Sequence, residues 1–302
     1  MKEYKPLVSI IIPVYNGANY MREAIDSALA QTYDNIEIIV VNDGSPDDGE
    51  TENIALSYGD KIRYYKKENG GCASALNFGI EKMQGEWFSW LSHDDVYFPD
   101  KIKSAIEHIK NEKLDESNTI LMCAGMVIDK DGNEVPHLNK INKMQNISPE
   151  TMFASFMHGK SLNGCSLLIP KIAIEKIGKF NVKYTYILDW IYWIDLALAG
   201  YNFFTYPEVM VKNRKHAEQV SVKKRELLKK ETYAFVLELI NRVESDPAKL
   251  IQIWGYCYQI GFKDGCDKVS ELCKIPALMR FKGMKRRMIS LGFFTLRKLF
   301  KI

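Results

Sequence analysis

Cysteine is scarce and unpaired in this chain of 302 residues. Cys72, Cys123, Cys165, Cys257, Cys266 and Cys273 lie far apart and lack the twin spacings of zinc ligands, so neither a zinc site nor a disulfide framework is expected. No stretch reaches the roughly 18 consecutive apolar residues that a membrane-spanning helix requires. Met1-Lys2-Glu3-Tyr4-Lys5-Pro6 leads into an apolar strand without the apolar core of a secretory leader. These absences predict a cytoplasmic protein with reduced thiols. Internal repeats and low-complexity tracts are also missing, which argues against repeat architectures. Acid is missing from one place in particular. From Leu272 to the end the chain holds nine Lys or Arg and no Asp or Glu, so against a formal net charge of +3 the rest of the chain is net −6. Phe281, Met284, Met288, Leu291, Phe293, Phe294, Leu296, Leu299 and Phe300 make this tail amphipathic. An anionic membrane surface is its first reading, which would dock the protein peripherally at the inner face of the cell membrane. The other is a helix packing its apolar side on the body with a solvated basic face. Nucleic acid is not expected, since no recognised motif accompanies the charge.

What is present points to a globular enzyme. With 46% hydrophobic and 26% charged residues the chain can bury a full core. Val8 to Pro13 is a β-branched run ending in Val14-Tyr15-Asn16-Gly17, followed by a helical pattern from Tyr20 to Gln31. Ile36 to Val41 is a second such run, ending in Asn42-Asp43-Gly44-Ser45. Strands apolar throughout and separated by helices predict a mostly parallel sheet covered on both faces. Ligands bind such sheets at the carboxyl ends of the strands.

The third strand end is the most telling. Trp87-Phe88-Ser89-Trp90-Leu91 runs into Ser92-His93-Asp94-Asp95, and adjacent carboxylates repel unless a cation lies between them. A hard divalent cation shared with a phosphorylated ligand satisfies both. A polar cap for a helix around Pro99 to Lys110 also accounts for the acids. Further on, Asn111 to Asn118 reads as a polar connection, Thr119 to Ile128 as a strand and Asp129 to Glu134 as a hairpin turn. Ser148-Pro149-Glu150 reads as a helix start, and Cys165 to Ile169 as a short strand closed by Pro170. Ile191 to Gly200, Val222 to Val243 and Pro247 to Ile260 read as helices.

Four segments in order resemble the family 2 glycosyltransferases: Val8-Ser9-Ile10-Ile11-Ile12-Pro13-Val14-Tyr15-Asn16, Val41-Asn42-Asp43-Gly44-Ser45, Asn69-Gly70-Gly71 with Asn77-Phe78-Gly79-Ile80, and Ser92-His93-Asp94-Asp95. The resemblance implies an α/β fold of GT-A type, a mixed and mostly parallel sheet flanked by helices, with a helical extension beyond it. It divides the chain into a nucleotide-sugar half (1–110), an acceptor half (111–221) and a helical C-terminal region (222–302). The implied activity is inverting transfer of a hexose-type sugar from a nucleotide diphosphate sugar, UDP favoured, to a saccharide or lipid-linked saccharide, in surface polysaccharide synthesis.

The resemblance also distributes roles. Pro13, Tyr15 and Asn16 would line the base and ribose pocket, Asp43 would accept from the uracil imide, and Asn69 and Gly70 would admit the nucleotide or sugar. Asp95 would ligate Mn2+ or Mg2+ and Asp94 would meet the ribose or the metal's surroundings. His216 would complete the metal site, Arg214 would neutralise phosphate, and Asp189 would be the general base. Departures occur at His93, where the family often has Asp, at Leu188, where it usually has an acid, and at Leu76, often Arg. They leave open a non-catalytic nucleotide-sugar binder or membrane-docked assembly subunit. A nucleotidyltransferase is a further alternative, but Pro13-Val14-Tyr15-Asn16-Gly17 lacks the Gly-rich loop with a basic residue expected there.

Overall fold

Every residue of β1 (Val8–Val14) is buried, as its β-branched run predicts for an inner strand of a covered sheet. β1 pairs in parallel with β2 (Ile36–Asn42) on one side and β4 (Trp87–Trp90) on the other, and β2 pairs in parallel with β3 (Arg63–Lys66). Beyond β4 comes β9 (Leu167–Pro170), antiparallel both to β4 and to β6 (Thr119–Ile128). β10 (Asn202–Arg214) then runs parallel to β6. β5 (Val96–Tyr97) and β8 (Gln145–Ile147) pair antiparallel with β10, and β7 (Glu134–Val135) pairs antiparallel with β6. β1, β2, β3, β4, β6 and β10 therefore share one direction, and their carboxyl ends lie along one rim.

The computed structural model describes residues 4–136, 141–216 and 225–273, within two compact units. Met1–Phe153 and Ser161–Arg225 form the first, and Ala154–Lys160 and Glu226–Ile302 the second. The expected halves 1–110 and 111–221 thus fall in one unit, apart from 154–160. The basic tail from residue 274 and the segment 217–224 lie outside the described residues. In the first unit the connecting helices are α1 (Met21–Leu29), α2 (Glu50–Leu56), α3 (Cys72–Lys82), α4 (Lys101–Asn111), α5 (Pro149–Met157), α6 (Lys171–Ile177) and α7 (Leu188–Leu198), α5 running on into the second. The buried faces of α1 and α4, including Ala24, Ile25, Ala28, Ile102, Ala105 and Ile109, close over Val8, Ile10, Ile12 and Val40 of the sheet. The second unit is helical where described: α8 (Arg225–Arg242), α9 (Pro247–Gln259) and α10 (Lys263–Leu272). α9 starts on a capping Asp246 that accepts from Lys249 N at 3.1 Å, with Pro247 in the first turn.

Five strands are absent from the sequence reading: β3, the short β5, β7 and β8, and β10, the longest strand of the sheet. Pro207 and Glu208 interrupt the β10 pattern, and the pairing with β6 shifts register between Tyr206 and Val211. A bulge there admits the proline that disqualifies a regular inner strand. α4 begins at Lys101 with Asp100 at the cap position, so Asp95 caps no helix. Asp189 lies inside the first turn of α7 rather than ahead of it.

Lys101 anchors the sheet from behind the acidic turn. The side chain is fully buried and donates to Ser89 Oγ, to Leu167 O at 3.1 Å and to Tyr97 Oη at 3.3 Å, with its ammonium 4.3 Å from the Tyr97 ring centre. Tyr97 Oη donates to Trp90 O at 2.6 Å, so β5 is folded back onto the end of β4. Burial pulls the Lys101 ammonium down to about 8. Its ordinary value is about 10.4, so between these limits the unfolded chain binds more protons and folding stability rises with pH. Relative to Lys101→Met, the wild type should gain about 3 kcal/mol of unfolding free energy between pH 7.5 and 10.5. Urea unfolding across that range measures it, and parallel pH curves for the two proteins would reject it.

Candidate active site

The carboxyl ends of β2, β1 and β4 are neighbours in the sheet, which brings the segments 43–45, 15–17 and 91–95 together. Asn16 takes a left-handed backbone (φ 50°), a conformation asparagine tolerates, and its N–H donates to Ser45 Oγ at 3.0 Å. Pro13 is buried, whereas Tyr15 and Asn16 are exposed at the rim. Gly44 also has a left-handed backbone (φ 69°), and a Cβ there would lie 2.7 Å from the Asn69 amide, so only glycine lets these two segments approach. Asp43 fastens them. Its carboxylate, 3% exposed, accepts from Lys67 Nζ at 2.6 Å, Gly70 N at 3.1 Å and Gly71 N at 2.7 Å. The Asn69 and Gly70 backbone is left at the surface beside it.

The acidic turn divides into two carboxylates with different surroundings. Asp94 faces the imidazole of His216, Oδ2 to Nε2 at 3.1 Å, with the side chains 14% and 11% exposed. His216 Nδ1 is buried and has no hydrogen-bond partner among the described residues. Asp95 points inward instead. Its Oδ1 accepts from the Arg214 backbone N–H at 2.8 Å, and its Oδ2 accepts from the Cys165 thiol at 3.1 Å. Burial, then the neighbouring Asp94 charge, push the Asp95 carboxyl well above its ordinary value. Expected as a metal ligand, Asp95 instead turns both oxygens to interior donors and is buried, so Asp94 is the better presented of the two.

Arg214 is likewise withdrawn from any phosphate. The residue is 2% exposed, and its guanidinium donates to Asp94 O at 3.0 Å, Asp129 O at 3.4 Å, Lys130 O at 3.2 Å and Glu23 Oε2 at 2.6 Å. It lies 4.6 Å from the Tyr20 ring, which in turn stands 5.2 Å from the His216 ring. A buried cation engaged in this way is held as a structural tie, and these bonds turn to the protein rather than to the phosphate contact expected of it. His93 fills the space beneath the first loop: a Cβ on Gly17 would come within 3.0 Å of its ring. Burial holds its imidazole below the ordinary value, in keeping with a packed neutral side chain.

Asp189 opens α7, half-buried, with its carboxylate against the Trp190 N–H at 2.7 Å. Burial pushes its carboxyl up to about 6. Cys72, the first residue of α3, feels the fields of Asp189, Asp43 and Asp94; burial and these three charges push its thiol up to about 12. Of the three, Asp43 touches the start of α3 directly, through the Gly71 N–H. Lys67, Cys72, Cys165 and Glu23 were not read from the sequence as site residues. Lys67 carried one usable signal, a lone cation two residues ahead of Asn69-Gly70. The others carried none, since their partners are distant in the chain.

For a divalent metal, the chemistry of the donor set is a usable test. Asp94 and His216 offer one carboxylate oxygen and one imidazole nitrogen, a pair that suits Mn2+ better than Mg2+, which prefers oxygen alone. Among the described residues no group of three or more His, Cys, Asp or Glu could enclose a metal. Such an ion would therefore depend on ligand oxygens for the rest of its coordination.

The family model for Glycosyl transferase family 2 matches residues 9–162. An uncharacterised glycosyltransferase of Rickettsia prowazekii is 52% identical over 222 residues, 72% of this chain and 67% of that protein. One from Rickettsia felis is 52% identical over 225 residues, 73% of this chain but 36% of the relative, so the chain spans about a third of that protein's length. Among solved structures, Staphylococcus aureus TarS 1-349 in complex with UDP-GlcNAc superposes with a TM-score of 0.66 at 17% identity, covering 83% of this chain and 71% of TarS. The same TarS fragment with UDP gives 0.58 at 16% identity, covering 88% and 90%. The α/β fold of mostly parallel strands is thus that of the GT-A glycosyltransferases, as the motifs implied. With the family model matching residues 9–162, just over half of its length, and relatives above half identity, the chain belongs to the family 2 glycosyltransferases.

Proposed function

We propose that this glycosyltransferase moves a hexose-type sugar from a UDP-sugar to a saccharide hydroxyl with inversion at the anomeric carbon. Asp189 is the base that takes the acceptor proton, and Asp94 with His216 holds a divalent cation, Mn2+ before Mg2+. The observation that carries the reading is the placing of Asp43 and of the Asp94–His216 pair at the carboxyl ends of β2 and β4, on either side of β1, with the charge of Asp189 reaching Cys72 alongside theirs. Binding of UDP and UDP-GlcNAc by TarS, which shares the fold, supports a uridine nucleotide as donor.

Pro13, Tyr15 and Asn16 flank the base and ribose, and Asp43 with Lys67 lies at the nucleoside end. There the uracil imide would take over the bond that Asp43 now receives from Lys67. Asn69 and Gly70 offer an exposed backbone to the donor. A bound cation would neutralise charge developing on the departing diphosphate. Asp189, held near pH 6 by burial, is ionised at neutral pH yet basic enough to accept a proton. The acceptor is a saccharide, lipid-linked if the basic tail docks on anionic membrane, which would suit surface polysaccharide synthesis.

Calorimetric titration of UDP, dTDP, GDP and ADP, with and without Mn2+, tests the donor site. UDP should bind at least about tenfold tighter with Mn2+, while Mn2+ alone binds weakly because only two protein ligands meet it. Binding of no nucleotide, or binding indifferent to Mn2+, would sink the metal-dependent reading.

A further inference from the structure

Two of the most buried charged side chains near the rim, Asp95 and Arg214, have no opening toward a ligand, and both act on the end of β10. The end of β10 matters because His216 follows it by two residues. β10 lies three places from β4 in the sheet, but β5, which follows Asp95 directly, pairs with it and sets Val96 opposite Lys212. Beyond that pair the ladder stops, and side chains carry the connection on to His216. Asp95 Oδ1 receives the Arg214 backbone N–H, and Asp94 O receives the Arg214 Nε–H, so the acidic turn grips Arg214 by main chain and side chain at once. The far end of the guanidinium reaches Glu23 of α1 and the carbonyls of Asp129 and Lys130 just past β6. Asp95 Oδ2 receives the Cys165 thiol, whose sulfur accepts from Ser92 N at 3.2 Å, so the turn is also tied to the segment before β9.

We propose that Asp95 and Arg214 are positioning residues: a buried latch that fixes the end of β10 against the acidic turn and so sets His216 beside Asp94. Asp95 acts as an acceptor rather than as a charge. Asparagine keeps the carbonyl oxygen that Arg214 N–H needs and removes a buried charge, whereas alanine leaves a buried N–H without an acceptor. A metal ligand would behave oppositely, since the anion itself is required. Arg214 is equally specific, because lysine can supply neither the directed Nε–H to Asp94 O nor a fork spanning Glu23 and the carbonyls beyond β6.

The inference rests on the reading of Asp94 and His216 as the metal-holding pair, and two measurements separate its failure from the failure of that reading. The first needs no ligand. Backbone amide exchange in the free protein should leave the Arg214 amide protected in the wild type and in Asp95→Asn. In Asp95→Ala it should exchange at least about tenfold faster, with the amides of β1 unchanged. Unchanged protection in Asp95→Ala would overturn the latch, whatever the nucleotide results. The second is UDP titration with graded Mn2+. Asp95→Asn should stay within about threefold of wild type. Asp95→Ala and Arg214→Lys should lose at least about tenfold and regain binding at high Mn2+, because both ligands remain in the chain. Asp95→Asn failing as completely as Asp95→Ala, with no recovery at high Mn2+, would return Asp95 to the ligand set and overturn the proposal. If wild-type UDP binding ignores Mn2+, the metal reading fails while amide exchange still decides the latch.

Discussion

Asp189→Asn should reduce sugar transfer by about 10³-fold while changing nucleotide affinity less than about threefold. The amide is nearly isosteric and keeps an oxygen for the Trp190 N–H, so the start of α7 retains its geometry. On the proposed role, what disappears is the group that takes the acceptor proton, and that loss falls on kcat. Two accompanying results separate this from damage to the fold. In the wild type kcat/KM should fall with acidity through the Asp189 transition near pH 6, and in the variant that limb should vanish. Stability should move the other way. Burial raises the folded value above the usual 3.8, so the native state binds more protons between these limits, and stability is lost as pH climbs from about 4 to 6. Removing the charge should therefore leave the variant as stable at pH 7, or more stable by up to ~2 kcal/mol after allowance for the partial exposure of Asp189. Retention of more than a tenth of wild-type transfer would strip Asp189 of its role.

Asp94→Asn and His216→Ala should each abolish the Mn2+-dependent part of UDP binding, a loss of at least about tenfold, or 1.4 kcal/mol, while metal-free binding stays near wild type. In the proposed site of two protein ligands, removal of either would leave the ion a single protein attachment beside the diphosphate. Asp94 should carry the larger effect, because a carboxylate ligand also offsets the ion's charge and an imidazole ligand does not. Since both act through one ion, the double variant should be little worse than Asp94→Asn alone. Metal-stimulated binding that survives in both single variants would mean that a cation, if used, sits elsewhere. Asp95→Asn is the internal control: it is adjacent in sequence, of the same charge, and expected to be mild.

Much of the scaffold was legible in advance. The β-branched runs at residues 8–14 and 36–42 announced buried parallel strands, and Thr119 to Ile128 formed as a strand with the expected bounds. Asp43, Asn69 and Gly70 do come together, since they close two neighbouring strand ends. β10 escaped because Pro207 breaks its alternation, and only the bulge opposite β6 shows how a proline is carried there. Asp189 was placed at the opening of a helix from its flanking apolar pattern, and it stands there, one position further in.

The amino-acid sequence alone determined the buried strands β1, β2, β4 and β6 and the four motifs, because these depend on periodicity and on residues close in the chain. It also determined that two carboxylates would end β4. Which of them faces the site was settled only by tertiary structure. Asp94 and Asp95 are identical in chemistry and adjacent in sequence, and successive side chains at a turn leave in different directions. Asp95 turns inward because Arg214, 119 residues away, and Cys165, 70 residues away, present donors there. Asp94 is left to His216, 122 residues away. Contacts at such separations follow from how the sheet is assembled, which no local pattern encodes.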